Sequence, residues 1–147
     1  MIGSILIATD GSAAANRAVD LAAELSVAQN CALHLISVVR NIQVPPDMQD
    51  MARVEHLGET RLSVLEFVAN QVLDSAVARA EAKGASVALR IVGYGDPATA
   101  IANHARKHGI ELLVLGTRGL SQVKSVLMGS VSRKVTEISE VNCLLVR

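Results

Sequence analysis

The segment Ser4-Ile5-Leu6-Ile7-Ala8-Thr9-Asp10-Gly11-Ser12 decides the fold. Ser4 to Thr9 is a short, continuous apolar run, the pattern of a strand buried on both faces. Asp10-Gly11 breaks the run. Ser12 is then placed to cap a helix over Ala13 to Ala28. In that helix Ala15, Ala18, Val19, Ala22, Leu25 and Ser26 recur at helical spacing and form one narrow face of small residues. Asn30 ends it.

The same punctuation repeats outward from this unit. Ala32 to Val39 reads as a second strand, and Arg40 to Asp50, with Pro45-Pro46, as an irregular loop. Met48 and Met51 beside the prolines suit a flap. A long helix follows from Met51 to Lys83, with Leu57, Val64, Leu65, Val68, Val72, Ala76 and Ala80 as its apolar side and Gly84 as its stop. Val87 to Val92 is a third strand and Gly93-Tyr94-Gly95 a turn. Asp96-Pro97 starts a helix that runs to His108 and closes at Gly109, because a capping carboxylate precedes proline at the first helical position. Leu112 to Leu115 is a fourth strand. After a glycine-spaced loop over Gly116 to Gly129, Ser130 begins a last helix, with Val131, Val135 and Ile138 inward. Asn142 to Val146 is the final strand.

Strands joined through helices imply parallel pairing and right-handed crossovers. The expectation is a single α/β domain over residues 1–147, an open doubly wound five-stranded sheet with helices on both faces. Composition agrees: half the residues are hydrophobic, yet the chain has no Trp, one Tyr and one Phe, so its core must be aliphatic. Fourteen basic residues balance fourteen acidic ones, without the basic excess of a general nucleic-acid binder. Cys31 and Cys143 each lie beside an apolar run and read as small core residues, which fits a reducing, cytoplasmic setting. No targeting segment is visible, and every apolar run is well short of the ~20 residues that span a bilayer, so no membrane partner is expected.

In open α/β sheets ligands sit beyond the carboxyl ends of the strands. Two segments fall there: Thr9-Asp10-Gly11-Ser12, and Gly116-Thr117-Arg118-Gly119 followed after nine residues by Gly129-Ser130-Val131-Ser132. Glycines permit close backbone approach, so Gly116 and Gly119 suit a loop that turns main-chain N–H groups toward a phosphate. Gly129-Ser130 opens a helix whose N-terminus offers free N–H groups and partial positive charge. Ser130 and Ser132 add hydroxyls; Arg118 and Lys124 add charge. The competing reading is a plain strand-to-helix connection.

The spacing Gly116-x2-Gly119-x9-Gly129-Ser130 resembles the nucleotide-binding pattern of the universal stress protein family, in its ATP-binding branch. The segments Ile5–Ser12, Leu33-His34-Leu35-Ile36, Gly95-Asp96-Pro97 and Asn142-Cys143 agree with it in order along the whole chain. The resemblance implies strand order 3-2-1-4-5, ATP at the strand ends with Mg or Mn held through its phosphates, and a homodimer formed through the C-terminal strand. It places Ala8, Thr9 and Asp10 at the adenosine and the Leu35 backbone at the adenine edge, with the Leu35 side chain against the ring. It sets Leu115 and Gly116 beside ribose and phosphates, and Gly119, Gly129, Ser130, Val131 and Ser132 at the triphosphate. The family often has Pro after Asn-Cys; Leu144 stands here and restores a donor to the last strand.

Signatures of fast catalysis are missing. There is no Gly-x4-Gly-Lys-[Ser/Thr] loop, no dinucleotide fingerprint, no Gly-x-Ser-x-Gly elbow and no evident general base, so no catalytic residue is assigned. His34 reads as a core histidine. His104 and His108, one turn apart, read as a helix-end pair without a third ligand nearby in sequence, and no metal site is assigned. Tyr94 either lines the pocket or covers the sheet. The leading expectation is a regulatory, stress-response ATP-binding module with slow or no hydrolysis. The alternatives are a dimeric scaffold that binds no nucleotide, and a weak ATPase. AMP or a cyclic nucleotide stays open beside ATP, because nothing here sets the length of the phosphate chain.

Overall fold

A computed structural model of the chain describes residues 1–40, 52–118 and 128–147, with 52–60 described by backbone course alone. Its elements are β1 (Ser4–Ala8), α1 (Ala13–Gln29), β2 (Ala32–Val39), α2 (Ala52–Ala82), β3 (Val87–Tyr94), α3 (Pro97–Lys107), β4 (Leu112–Gly116), α4 (Ser130–Ile138) and β5 (Asn142–Val146). The strands form one parallel sheet in the order β3-β2-β1-β4-β5. This is the doubly wound α/β architecture expected from the alternation of elements. The loop expected beyond Arg40, with Met48 and Met51, lies outside the described residues. So does the stretch of the glycine loop that holds Gly119 and Lys124.

Alternation along each buried strand divides the core in two. Ile5, Ile7, Leu33, Leu35 and Val114 face α1 and α2, where they meet Val19, Ala22, Leu73 and Ala76. Leu6, Ile36, Leu113 and Leu115 face α3 and α4, where they meet Ala98, Ile101, Ala105 and Val135. The alanine-rich face of α1 lets that helix sit close on the sheet, as its spacing predicts.

Two helices turn differently from expectation. In α2 the buried stripe is Ala69, Leu73, Ala76 and Ala80, while Val64, Phe67 and Val68 are exposed. The expected stripe followed steps of four, and each such step drifts about 40° around a helix of 3.6 residues per turn. Over four steps from Ala80 back to Val64 the drift is about 160°, enough to carry the chain from core to solvent. In α4, Val135 is wholly buried but Ile138 is exposed at the helix end.

The third strand is longer than expected. β3 continues through Gly93 and Tyr94 because β2 continues beside it, pairing Val38 with Gly93 and Val39 with Tyr94. A Cβ at Gly93 would come within 3.2 Å of both the Ile36 and Val38 side chains, so glycine serves packing there. The turn itself falls to Gly95, with φ +102°. Tyr94 donates its hydroxyl to Glu66 Oε1 at 2.7 Å, tying the end of β3 to α2.

Candidate functional site

Strand order reverses between β1 and β4: the chain leaves β1 toward β2 on one side, while β4 and β5 lie on the other. A crevice at the carboxyl ends of this pair is where ligands settle in such sheets. The loops that border it are the two segments singled out in the sequence.

The loop after β1 is tightly self-bonded. The Thr9 N–H donates to the Ile36 carbonyl at 3.0 Å, extending the pairing one residue past β1. Thr9 Oγ1 accepts from the Gly11 N–H at 3.2 Å, and Asp10 Oδ1 accepts from the Ser12 N–H at 2.9 Å. Gly11 holds φ +79°, a region that side chains disfavour. Thr9 is thus buried and structural, while Asp10 stays exposed at the mouth. Ser12 is the N-cap of α1, accepting from the Ala15 N–H at 3.2 Å.

The loop after β4 is closed at its root by Thr117. Its N–H donates to the Val146 carbonyl at 2.8 Å and its carbonyl accepts from the Gly129 N–H at 2.5 Å, so the two ends of the loop meet. Ser132 Oγ donates to the Gly116 carbonyl at 2.6 Å and draws the first turn of α4 onto the end of β4. Gly116 has a second neighbour: a Cβ there would lie 2.8 Å from the Ala14 carbonyl carbon and the Ala15 nitrogen. Its lack of a side chain lets the start of α1 pack on β4.

The helix N-termini differ in how they are satisfied. Ser12 caps α1 and Asp96 caps α3, but Gly129 heads α4 with no side-chain cap among the described residues. Among the described residues the first-turn N–H groups of α4 therefore present uncompensated donors and partial positive charge to the crevice. Arg118, exposed and next in the chain to Thr117, adds a cation to the rim. On the opposite rim Asp10 offers a carboxylate. Positive charge at one end and an acceptor at the other suit a ligand with an anionic tail and a hydrogen-bonding head.

The expected site residues other than Gly119, which lies outside the described residues, fall into three groups. Ala8, Thr9, Asp10, Gly116, Gly129, Ser130, Val131 and Ser132 gather at the carboxyl ends of β1 and β4, with Ser130 exposed and the Ser132 hydroxyl already committed to Gly116. Leu115 is almost wholly buried under α3 and α4. The Leu35 side chain is completely buried among Ile5, Ile7 and Val19, so the expectation that it lies against a ring is corrected. Ala8 pairs with Ile36, and the residues of β2 that reach past the end of β1 are Ser37, Val38 and Val39. β2 has eight residues and β1 five, and the register that sets Ser4 beside Ala32 puts the whole overhang at the carboxyl end. Thr117 was also missed, since nothing local marks a threonine that closes a loop.

Comparison with known proteins gives a consistent answer. The model of the universal stress protein family matches residues 1–147. Universal stress protein YxiE of Bacillus subtilis is 34% identical over 149 residues, covering all of both chains. A universal stress protein solved in complex with cAMP is 27% identical, with TM-score 0.69, covering 99% of this chain and 97% of that one. Universal stress protein UspA from Lactobacillus plantarum, 22% identical, shares the fold with TM-score 0.86 over 99% of this chain and 98% of its own. With the fold, the strand order and a whole-chain match in agreement, the chain belongs to the universal stress protein family.

Proposed function

We propose that this chain is a regulatory adenine-nucleotide-binding protein, with ATP as the ligand, acting in a stress response in the cytoplasm. The observation that carries the proposal is the uncapped N-terminus of α4, drawn onto the end of β4 by the Ser132–Gly116 bond. Three successive main-chain N–H groups at a helix start, with Arg118 on the same rim, are a ready anion site. The relative solved with cAMP supports an adenine ring and a phosphate as the ligand class.

In this reading Ser130, Val131 and Ser132 hold phosphates together with Gly119 and Gly129, and Asp10 accepts from adenosine. The Leu35 backbone lies at the adenine edge, and the overhanging end of β2, at Ser37 and Val38, borders the base in place of the buried Leu35 side chain. A Mg or Mn ion, when bound, neutralises phosphate charge and is held through the phosphates. Asp10 is already bonded to the Ser12 N–H, and no residue is assigned the activation of water, so hydrolysis is slow at most. Binding alters a surface that partners read.

A second reading rests on β5. It is an edge strand, paired on one side only with β4 through five consecutive registers from Asn142 to Val146, with Leu144 opposite Val114. An edge with no proline invites a second copy, so the chain acts as a homodimer joined there, with or without nucleotide.

The test is mass spectrometry of small molecules released by denaturing the purified protein, with calorimetric titration of ATP, AMP and cAMP. Near-stoichiometric ATP, or tight binding of added ATP, is expected. Protein that is empty and ignores all three nucleotides overturns the nucleotide reading and leaves the dimeric scaffold, which light scattering then tests.

A further inference from the structure

At the opposite end of the sheet from the crevice, toward the amino ends of the strands, the fold assembles three histidines that are distant in sequence. His34 lies in the first half of β2, paired with Leu6 of β1, and shares the α3 face of the sheet with Ile36. His104 and His108 are one turn apart at the end of α3, the His108 N–H donating to the His104 carbonyl at 3.1 Å. Because α3 runs back against the strands, its last turn arrives over the start of β2. The His104 and His108 rings stack with centroids 4.2 Å apart, and each lies 5.9 Å from the His34 ring. One ligating nitrogen from each histidine falls within 4.8 Å of the others.

Two of the six ring nitrogens are also unspent. His34 Nδ1 and His104 Nε2 are buried and have no hydrogen-bond partner among the described residues. His104 is only 9% exposed. Buried polar atoms normally find partners, and two orphans side by side in an otherwise aliphatic layer require a reason. His108 is exposed and opens the cluster to solvent.

We propose that His34, His104 and His108 form a binding site for a divalent transition-metal ion, with zinc as its representative. Three imidazoles without a carboxylate among them suit zinc, copper or nickel and not magnesium or calcium, which take oxygen ligands. Tetrahedral coordination with metal–nitrogen bonds of about 2.0–2.1 Å sets nitrogens about 3.4 Å apart. The cluster must contract by about 1.4 Å at most to reach that geometry. The fourth position faces solvent beside His108 and takes water. The bound ion clamps the start of β2 to the last turn of α3. This site goes beyond the nucleotide reading and does not depend on it, because it lies at the amino ends of the strands.

The experiment is titration of untagged, chelator-treated full-length chain with zinc alone, followed by cobalt substitution. Saturation at one ion per chain is expected, with the visible absorption of tetrahedral cobalt and zinc-induced shifts of the His34 imidazole nitrogens in NMR spectra. His34→Gln and His108→Gln should each weaken zinc binding by about 100-fold or more, with nucleotide affinity retained. Absence of saturable binding overturns the proposal. So does zinc binding that leaves the His34 nitrogens unshifted or survives His34→Gln, since the ion would then sit on the helix-surface pair alone. Should His34→Gln fail to fold, the NMR shifts and the exposed His108→Gln variant decide.

Discussion

Ser12 Oγ donates to the Arg118 carbonyl at 3.3 Å while accepting from the Ala15 N–H at 3.2 Å. One hydroxyl therefore both caps α1 and joins the loop after β1 to the loop after β4. Ser12→Ala removes both bonds. Loss of an N-cap costs about 1 kcal/mol, so thermal or urea denaturation should show a destabilisation of about that size. Because the two loops border the same crevice, ATP affinity should fall as well. Ser12→Thr, which keeps the hydroxyl, should restore most of both.

Gly116 and Gly129 belong to one glycine-spaced pattern, yet the structure gives them different roles. A Cβ at Gly116 meets backbone atoms of Ala14 and Ala15 at 2.8 Å, and backbone cannot step aside as a flexible side chain does. Gly116→Ala should destabilise the fold by about 1–3 kcal/mol, as overpacking does. Gly129 has φ −67° and ψ 160°, an extended conformation open to any residue. A bulky replacement there, such as Gly129→Leu, should cost only about 1 kcal/mol as a poorer N-cap and abolish ATP binding. Calorimetry and thermal melts on both variants separate the roles. Undiminished ATP affinity in Gly129→Leu would remove the phosphates from this loop.

The corrected orientation of α2 has its own test. Leu73 is wholly buried in the cluster with Ile5, Ile7 and Val19, and Phe67 is 64% exposed. Leu73→Ala should cost about 2–5 kcal/mol, and Phe67→Ser should stay within about 0.5 kcal/mol. Denaturant midpoints measure both. A large loss from Phe67→Ser would mean that this face is covered in solution, and concentration-dependent stability would identify the cover as a second copy.

How much could be read in advance depended on the range of each signal. Strand and helix order is local information: apolar runs such as Ile5–Ala8 alternate with caps such as Ser12 and Asp96, and these place every element. Strand order 3-2-1-4-5 came through resemblance, since no local residue states which strand lies beside which. The crevice loops were legible because glycines and hydroxyls cluster where strands end. The Leu35 side chain was misplaced because register beside Ile7 carries it into the layer under α1 and α2. The rotation of α2 escaped because steps of four residues drift around a long helix. The three histidines went unseen as a group because His34 and His104 meet only when α3 folds back over β2.

Asp96 links three features of α3 and α4. Its Oδ2 accepts from the Thr99 N–H at 3.0 Å, from the Thr99 hydroxyl at 2.7 Å and from Lys134 Nζ at 3.0 Å. These bonds, those from Thr99 foremost and then Lys134, stabilise the carboxylate and lower its pKa from 3.8 to about 2. A carboxyl depressed in the folded state adds stability that is fully present above its unfolded value and is lost as pH falls through its folded value. The melting temperature should therefore drop between pH 4 and pH 2 through this group. Asp96→Asn keeps a good N-cap but loses the charge that Lys134 faces. It should melt slightly lower than the parent at pH 7, and the gap should close as the pH approaches 2. NMR titration of the Asp96 carboxyl carbon reports the shift directly. A midpoint near 4 would show that the Thr99 and Lys134 contacts do not persist in solution, and α3 would then lack the cap that its Asp96-Pro97 start predicts.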